Sequence, residues 1–286
     1  MFVSRLLRAL RYRLLAALAA VRHEAVRLRS RDPLLPPSTL HSVGLGDFRS
    51  IGDDLLRLLV DVGRLRPGER VLDVGCGTGR VARPLTAFLK TGSYDGMDIV
   101  GRSIAWCRRA YRPFPHFRFH HADLFNQAYN RAGAAVAAEY RFPFDDASFD
   151  FVLLTSVFTH MLAQDTQHYL REIARLLAPG GRVFMTAFLL DEATRKAIEA
   201  GRADFTFSHE RGGCYLERAD IPEAAVAYDR GAFAGMVAAA GLIASRSDPG
   251  SWRGSEGMSY QDILILSAAP RRTLDRAVGS GSPAAG

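Results

Sequence analysis

Val71-Leu72-Asp73-Val74-Gly75-Cys76-Gly77-Thr78-Gly79-Arg80 is the stretch that decides the fold. An apolar, β-branched run passes straight into three alternating glycines, the pattern of a buried strand that feeds a ligand-contacting turn and then a helix. Gly75 permits the sharp turn, Gly77 leaves room for a ligand against the backbone, and Gly79 lets the following helix approach the sheet. A nicotinamide-binding loop reads GxGxxG and would need glycine where this chain has Arg80. Here the spacing is GxGxG, and an acid, Asp73, stands two residues before the first glycine. Pro84 does not suit a helix interior, so the next helix is expected to start later than Gly79.

Outward from this loop, short apolar runs alternate with helical patterns. The expected strands are Arg70 to Val74, Ser93 to Asp98, Phe117 to Asp123, Phe149 to Ser156, Arg182 to Phe188, Leu242 to Arg246 and Gln261 to Leu266. Such alternation predicts an α/β fold with a mainly parallel sheet covered on both faces. Asp98 ends the second strand, nineteen residues past Gly79, where a carboxylate can accept both hydroxyl hydrogens of a ribose. Asp123 ends the third strand at the same carboxyl edge, where open α/β sheets bind ligands. An Asp at a strand end is alone more often a turn or helix cap. In order behind the glycine loop, the two read as a binding set.

The charge is unevenly spread. Lys plus Arg number 37 and Asp plus Glu 30, yet residues 1–31 hold eight Arg and one acid, Glu24, which leaves 29 bases and 29 acids in residues 32–286. A neutral body argues against a general nucleic-acid binder, which needs a basic face. Val3, Leu7, Leu10, Leu14, Leu18, Val21, Ala25 and Leu28 recur every three or four residues among those arginines, so residues 1–31 form a basic amphipathic helix. It is expected either to pack on protein or to lie on an anionic membrane surface. No apolar run reaches membrane-spanning length. Residues 32–43 read as a proline-rich linker, 44–267 as the folded domain and 268–286 as a loose tail. Cys76, Cys107 and Cys214 stand apart with no metal-ligand spacing, which fits a reducing, cytoplasmic setting, peripheral to the inner face of the membrane if the helix meets lipid.

The body resembles the class I S-adenosylmethionine-dependent methyltransferases through VLDVGCGTGR (71–80), YDGMDI (94–99), HADLF (121–125), FPFDDASFDFVLLTSVFTHM (142–161) and LREIARLLAPGGRVFMT (170–186). The resemblance spans about residues 44–190. It implies a Rossmann-like, doubly wound seven-stranded sheet whose last strand, Gln261 to Leu266, is antiparallel. It also implies S-adenosylmethionine as cofactor, with Asp73, Gly75, Cys76, Gly77 and Gly79 at the methionine portion, Asp98 at the ribose, Asp123 and Leu124 at the adenine, Thr155 beside the methyl donor, and Ile99 among the cofactor-binding residues. His41 to Phe48 is similar to the family's entrance segment. Residues Asn126 to Arg141, where many members have a crossover helix, carry a weakened helical pattern and are expected to be irregular or part of the pocket rim.

Because a sulfonium already makes its methyl electrophilic, the protein has mainly to align an acceptor and exclude water. His160, just past the fourth strand, is the candidate base, with helix capping or a structural role as the plainer reading. Oxygen of a small-molecule, glycan or lipid-linked acceptor is the expected target. Residues 190–227 are long enough for a lid or acceptor insertion, in which His209 and Glu210 could act, and Phe205, Phe207, Tyr215 and Tyr228 either line a pocket or pack as core. His120 and His121 point to opposite faces and cannot share a metal, so none is expected. The competing readings are a non-catalytic, membrane-associated S-adenosyl-ligand binding protein, a nicotinamide-dependent oxidoreductase, and an aminopropyl transferase, which would need an acidic pocket. Oligomeric state is left open.

Overall fold

A computed structural model describes residues 2–40 and 46–270, the side chains of 2–14 and 16 excepted. Residues 41–45 of the expected linker and entrance segment, and 271–286 of the expected tail, lie outside the described residues. Two helices come first, α1 (Phe2–Ser30) and α2 (Phe48–Asp61), the latter capped by the Asp47 carboxylate on the Ser50 amide at 2.9 Å. Strand–helix alternation follows: β1 (Arg70–Val74), α3 (Ala82–Phe88), β2 (Ser93–Asp98), α4 (Gly101–Ala110), β3 (Phe117–His121), β4 (Phe149–Leu154), α5 (Ala163–Leu176) and β5 (Leu177–Ala187). Helix α3 starts three residues past Gly79, so Pro84 falls in its first turn, where no intrahelical amide bond is lost.

Beyond β5 come β6 (Leu189–Leu190), α6 (Glu192–Glu199), β7 (His209–Arg211), β8 (Cys214–Leu216), β9 (Val226–Asp229), α7 (Arg230–Ala239), β10 (Leu242–Asp248) and β11 (Asp262–Ala268). The main sheet has seven strands in the order β10-β11-β5-β4-β1-β2-β3. Strands β1 to β5 pair in parallel, and β11 inserts antiparallel between β5 and β10, with Leu266 opposite Val183. The fold is the expected Rossmann-like one. After β3 the chain returns to lay β4 against the other side of β1, and that reversal opens a crevice at the carboxyl ends of β1 and β4.

Both faces of β1 are covered, which is why Val71, Leu72 and Val74 are apolar on both sides of the strand rather than on alternate residues. Leu72 and Val74 belong to one core with β4, α5 and α7, while Val71 belongs to the other with α2, α3 and α4. A second, four-stranded sheet, β6-β9-β8-β7, carries the segment expected as a lid. Its aromatic residues are core: Phe207 packs with Phe188 and Trp252, with Phe205 and Tyr215 against them, and Tyr228 lies fully buried in the main core. His209 and Glu210 sit on the exposed strand β7, away from the crevice.

The expected linker is packed rather than loose where it is described. Leu34 and Leu35 are buried, and Arg83 of α3 bridges Asp32 at 3.6 Å and Asp53. Helix α1 docks on this strap through buried His23, whose Nε2 lies 2.8 Å from the Pro36 carbonyl and whose ring sits 6.0 Å from that of Phe48. No helix of the described residues is long and apolar enough to cross a membrane.

Candidate active site

A cavity of about 180 Å³ fills the crevice between β1 and β4. Its floor is the glycine loop, where Gly75, Gly77 and Gly79 have φ of 78°, 54° and 79°. These left-handed values suit glycine alone. A Cβ on Gly77 would meet nothing within 4 Å, so that backbone faces open space, whereas one on Gly79 would meet the Tyr111 hydroxyl at 2.7 Å. Gly79 therefore makes room for Tyr111, at the end of α4, and not for α3. Cys76 is buried under the loop, and its thiol is pushed up by burial and by Asp98.

Asp73 reaches the cavity from β1. Its Oδ2 accepts a 2.7 Å hydrogen bond from Tyr94, and its Oδ1 is buried with no partner among the described residues. Burial pushes the carboxyl up to about 7 against the pull of the Tyr94 bond. Asp98 ends β2 beside it and accepts from the Gly77 amide at 2.8 Å and the Val100 amide at 2.7 Å. It thus ties the glycine loop to the second strand while keeping lone-pair capacity for a ligand. Burial raises its pKa from the ordinary 3.8, opposed by those two amides.

Of the other residues singled out in the sequence, Ile99, Leu124 and Thr155 line the cavity. Asp123 does not. Its carboxylate is exposed and turned to Asn130, whose amide donates to Oδ1 at 3.1 Å. His160 sits on the far wall in a single 3-10 turn, Phe158–His160, and does not cap α5, whose N-cap is Leu162. Its Nδ1 is 2.9 Å from the Glu223 carbonyl and its Nε2 3.2 Å from the Tyr129 hydroxyl. A carbonyl only accepts, so Nδ1 carries the proton and Nε2 presents its lone pair. Burial holds this imidazole below its ordinary 6.5, hence neutral at pH 7.

Several wall residues come from segments that the sequence marked only as stretches, the entrance segment and the crossover among them. Phe48 comes from α2, and Tyr129 with Asn126 from the crossover, which is irregular, as its weak helical pattern implied. Arg80, set aside as a mismatch to a nicotinamide loop, lines the cavity beside Asp73 with its guanidinium pKa lowered by burial. Asp165 of α5 and Glu223 add two acids; Glu223 Oε2 is buried with no partner among the described residues, and burial and that neighbouring charge raise Asp165. The wall is thus more acidic than the sequence suggested. Among the described residues no group of three or more His, Cys, Asp and Glu is placed to hold a metal ion.

A family model for a methyltransferase domain matches residues 72–185, from β1 to β5. Over 122 residues the chain is 34% identical to the phthiotriol/phenolphthiotriol dimycocerosates methyltransferase of Mycobacterium tuberculosis, covering 43% of this chain and 37% of that one. Over 126 residues it is 33% identical to the 27-O-demethylrifamycin SV methyltransferase of Amycolatopsis mediterranei, covering 44% and 41%. The match therefore spans less than half the length of these curated relatives. In fold the chain is similar to the 1,6-didemethyltoxoflavin-N1-methyltransferase of Burkholderia thailandensis, solved with 1,6-didemethyltoxoflavin and S-adenosylhomocysteine bound, at TM-score 0.50 and 17% identity over 91% of each chain. Matched from the strand that feeds the glycine loop to the fifth strand of the same sheet, residues 72–185 of this chain form a methyltransferase domain.

Proposed function

We propose that this chain binds S-adenosylmethionine in the crevice between β1 and β4 and transfers its methyl group to an oxygen of a small-molecule, glycan or lipid-linked acceptor. The observation that carries the reading is the unpartnered, buried Oδ1 of Asp73 inside the cavity, opposite a glycine loop open to backbone contact. An anionic oxygen there fits the α-ammonium of the methionine portion, and Arg80 beside it fits the α-carboxylate. The spare lone pairs of Asp98 fit the ribose hydroxyls, and Leu124 with Ile99 fits an adenine face. When bound, the cofactor supplies a methyl on a positively charged sulfur.

The chain's own part is alignment and proton removal. His160 Nε2 takes the acceptor hydroxyl proton, directly or through Tyr129, whose hydroxyl can accept from the acceptor as it donates to the ring. The oxygen–methyl bond forms as the carbon–sulfur bond breaks. The open Oε2 of Glu223 accepts from a second donor on the acceptor, which orients it. Lipid-linked acceptors belong in the class because exposed Phe125 and Tyr129 form an apolar lip on the cavity. Three free, buried cysteines support a cytoplasmic setting, and residues 1–31 support peripheral contact with the inner membrane face. The test is methyl transfer by His160→Gln: kcat is expected to fall by about 10²- to 10⁴-fold with S-adenosylhomocysteine affinity unchanged. Undiminished turnover removes His160 as base.

A further inference from the structure

The two sides of α1 differ in a way the sequence did not foretell. From residue 19 onward, the side turned to the body is Ala19, Ala20, His23, Val26, Arg27 and Ser30, all buried or half-buried. The apolar stripe faces the other way: Leu15, Leu18, Val21 and Leu28 are 41%, 57%, 70% and 67% exposed. Arg22 and Arg29 interleave with them and are exposed as well. From Leu15 onward the helix is therefore not held on the body by its apolar stripe, as a packing helix would be. It is held by His23 on Pro36 and Phe48, by Glu24 on the Ser38 amide at 3.2 Å, and by the strap beneath. A row of large aliphatic side chains in water needs a cover.

We infer that this outward face of α1 is a docking surface for an anionic lipid bilayer. Charge complementarity selects that occupant. The eight arginines of residues 1–31 face one acid, and that acid is engaged inward with Arg27 at 2.9 Å, whereas the rest of the chain is balanced. Apolar side chains entering the acyl boundary with arginines at the phosphates is the arrangement of a helix lying in a membrane interface. A self-associating face would set Arg22 and Arg29 against their own copies. The inner side of α1 contacts Phe48, which also lines the cavity, so docking holds the cavity beside the lipid. Delivery of a membrane-dissolved acceptor through that opening rests on the methyl-transfer reading; docking itself does not.

The experiment is cosedimentation of the full chain with phosphatidylcholine vesicles, with and without phosphatidylglycerol. The wild type is expected to sediment with the anionic vesicles only, and less as salt is raised. Combined Leu18→Glu, Val21→Glu and Leu28→Glu, all at exposed positions, should lower partitioning by about a hundredfold or more, and Arg22→Glu with Arg29→Glu by about tenfold or more. Both variants should keep wild-type affinity for S-adenosylhomocysteine, which confirms a folded cavity. A wild type that ignores anionic vesicles, or a triple variant that binds them equally well, overturns the inference. So does a wild-type dimer that the triple substitution dissolves in the absence of lipid, because the face then covers a second copy. A chain that docks yet binds no S-adenosylhomocysteine sinks the methyl-transfer reading and leaves the docking surface standing.

Discussion

Asp73 shows how one residue couples fold and function. It interrupts an apolar strand at the cost of a buried carboxyl, and only one of its oxygens is satisfied, by Tyr94. Its pKa of about 7 lies above the ordinary 3.8, so in the empty protein the neutral form stabilises the fold. That stability is complete below about pH 4 and is lost as pH rises through 7. A cationic ligand reverses the preference and selects the carboxylate. S-adenosylhomocysteine affinity should therefore rise by up to about tenfold per pH unit as pH approaches 7 and level off above it. His160 stays neutral near and above pH 7, and Asp73→Asn should flatten the profile. Titrations at about pH 6 and about pH 8 that gave equal affinities would refute the pairing of Asp73 with the ammonium.

At the scale of elements, the segment after β5 braces the site more than it covers it. Tyr228 of β9 donates to the Met161 carbonyl at 2.6 Å and accepts from Thr166 at 2.8 Å, joining the His160 turn to α5. Tyr228→Phe leaves both partners buried and unpaired, so it should cost about 1–3 kcal/mol of unfolding free energy and lower Tm. It should also loosen His160 and reduce turnover more than cofactor affinity. A denaturation midpoint equal to that of the wild type would show that the hydroxyl is dispensable. β1, its glycine loop and the strand–helix alternation were legible in sequence because each rests on local periodicity and spacing. The outward turn of α1 was not, since its pattern says only that one stripe is apolar, and the cover is decided by tertiary packing through His23. Asp123 misleads for a related reason: a strand-end carboxylate goes wherever its loop offers a donor, and Asn130 is seven residues away. Tyr129 and Glu223 were legible only as members of long stretches, residues 126–141 and 190–227, because only the fold brings an irregular crossover and a distant 3-10 turn together.

Over the whole molecule, a seven-stranded sheet sets a cofactor crevice at its topological reversal, a second small sheet braces the far wall, and a basic helix strapped beside the opening turns its apolar face outward. The central claim is that the crevice is built for an S-adenosyl ligand, and Asp98 is where it is most exposed to test. The most direct measurement is isothermal titration of the full chain with S-adenosylhomocysteine, after removal of any copurified ligand, alongside Asp98→Ala and a parallel titration with NADH. The expected result is a single micromolar site for S-adenosylhomocysteine, weakened roughly ten- to hundredfold in Asp98→Ala by the loss of charge-assisted hydrogen bonds, and no binding of NADH. Absence of S-adenosylhomocysteine binding, or affinity unchanged by Asp98→Ala, would contradict the account.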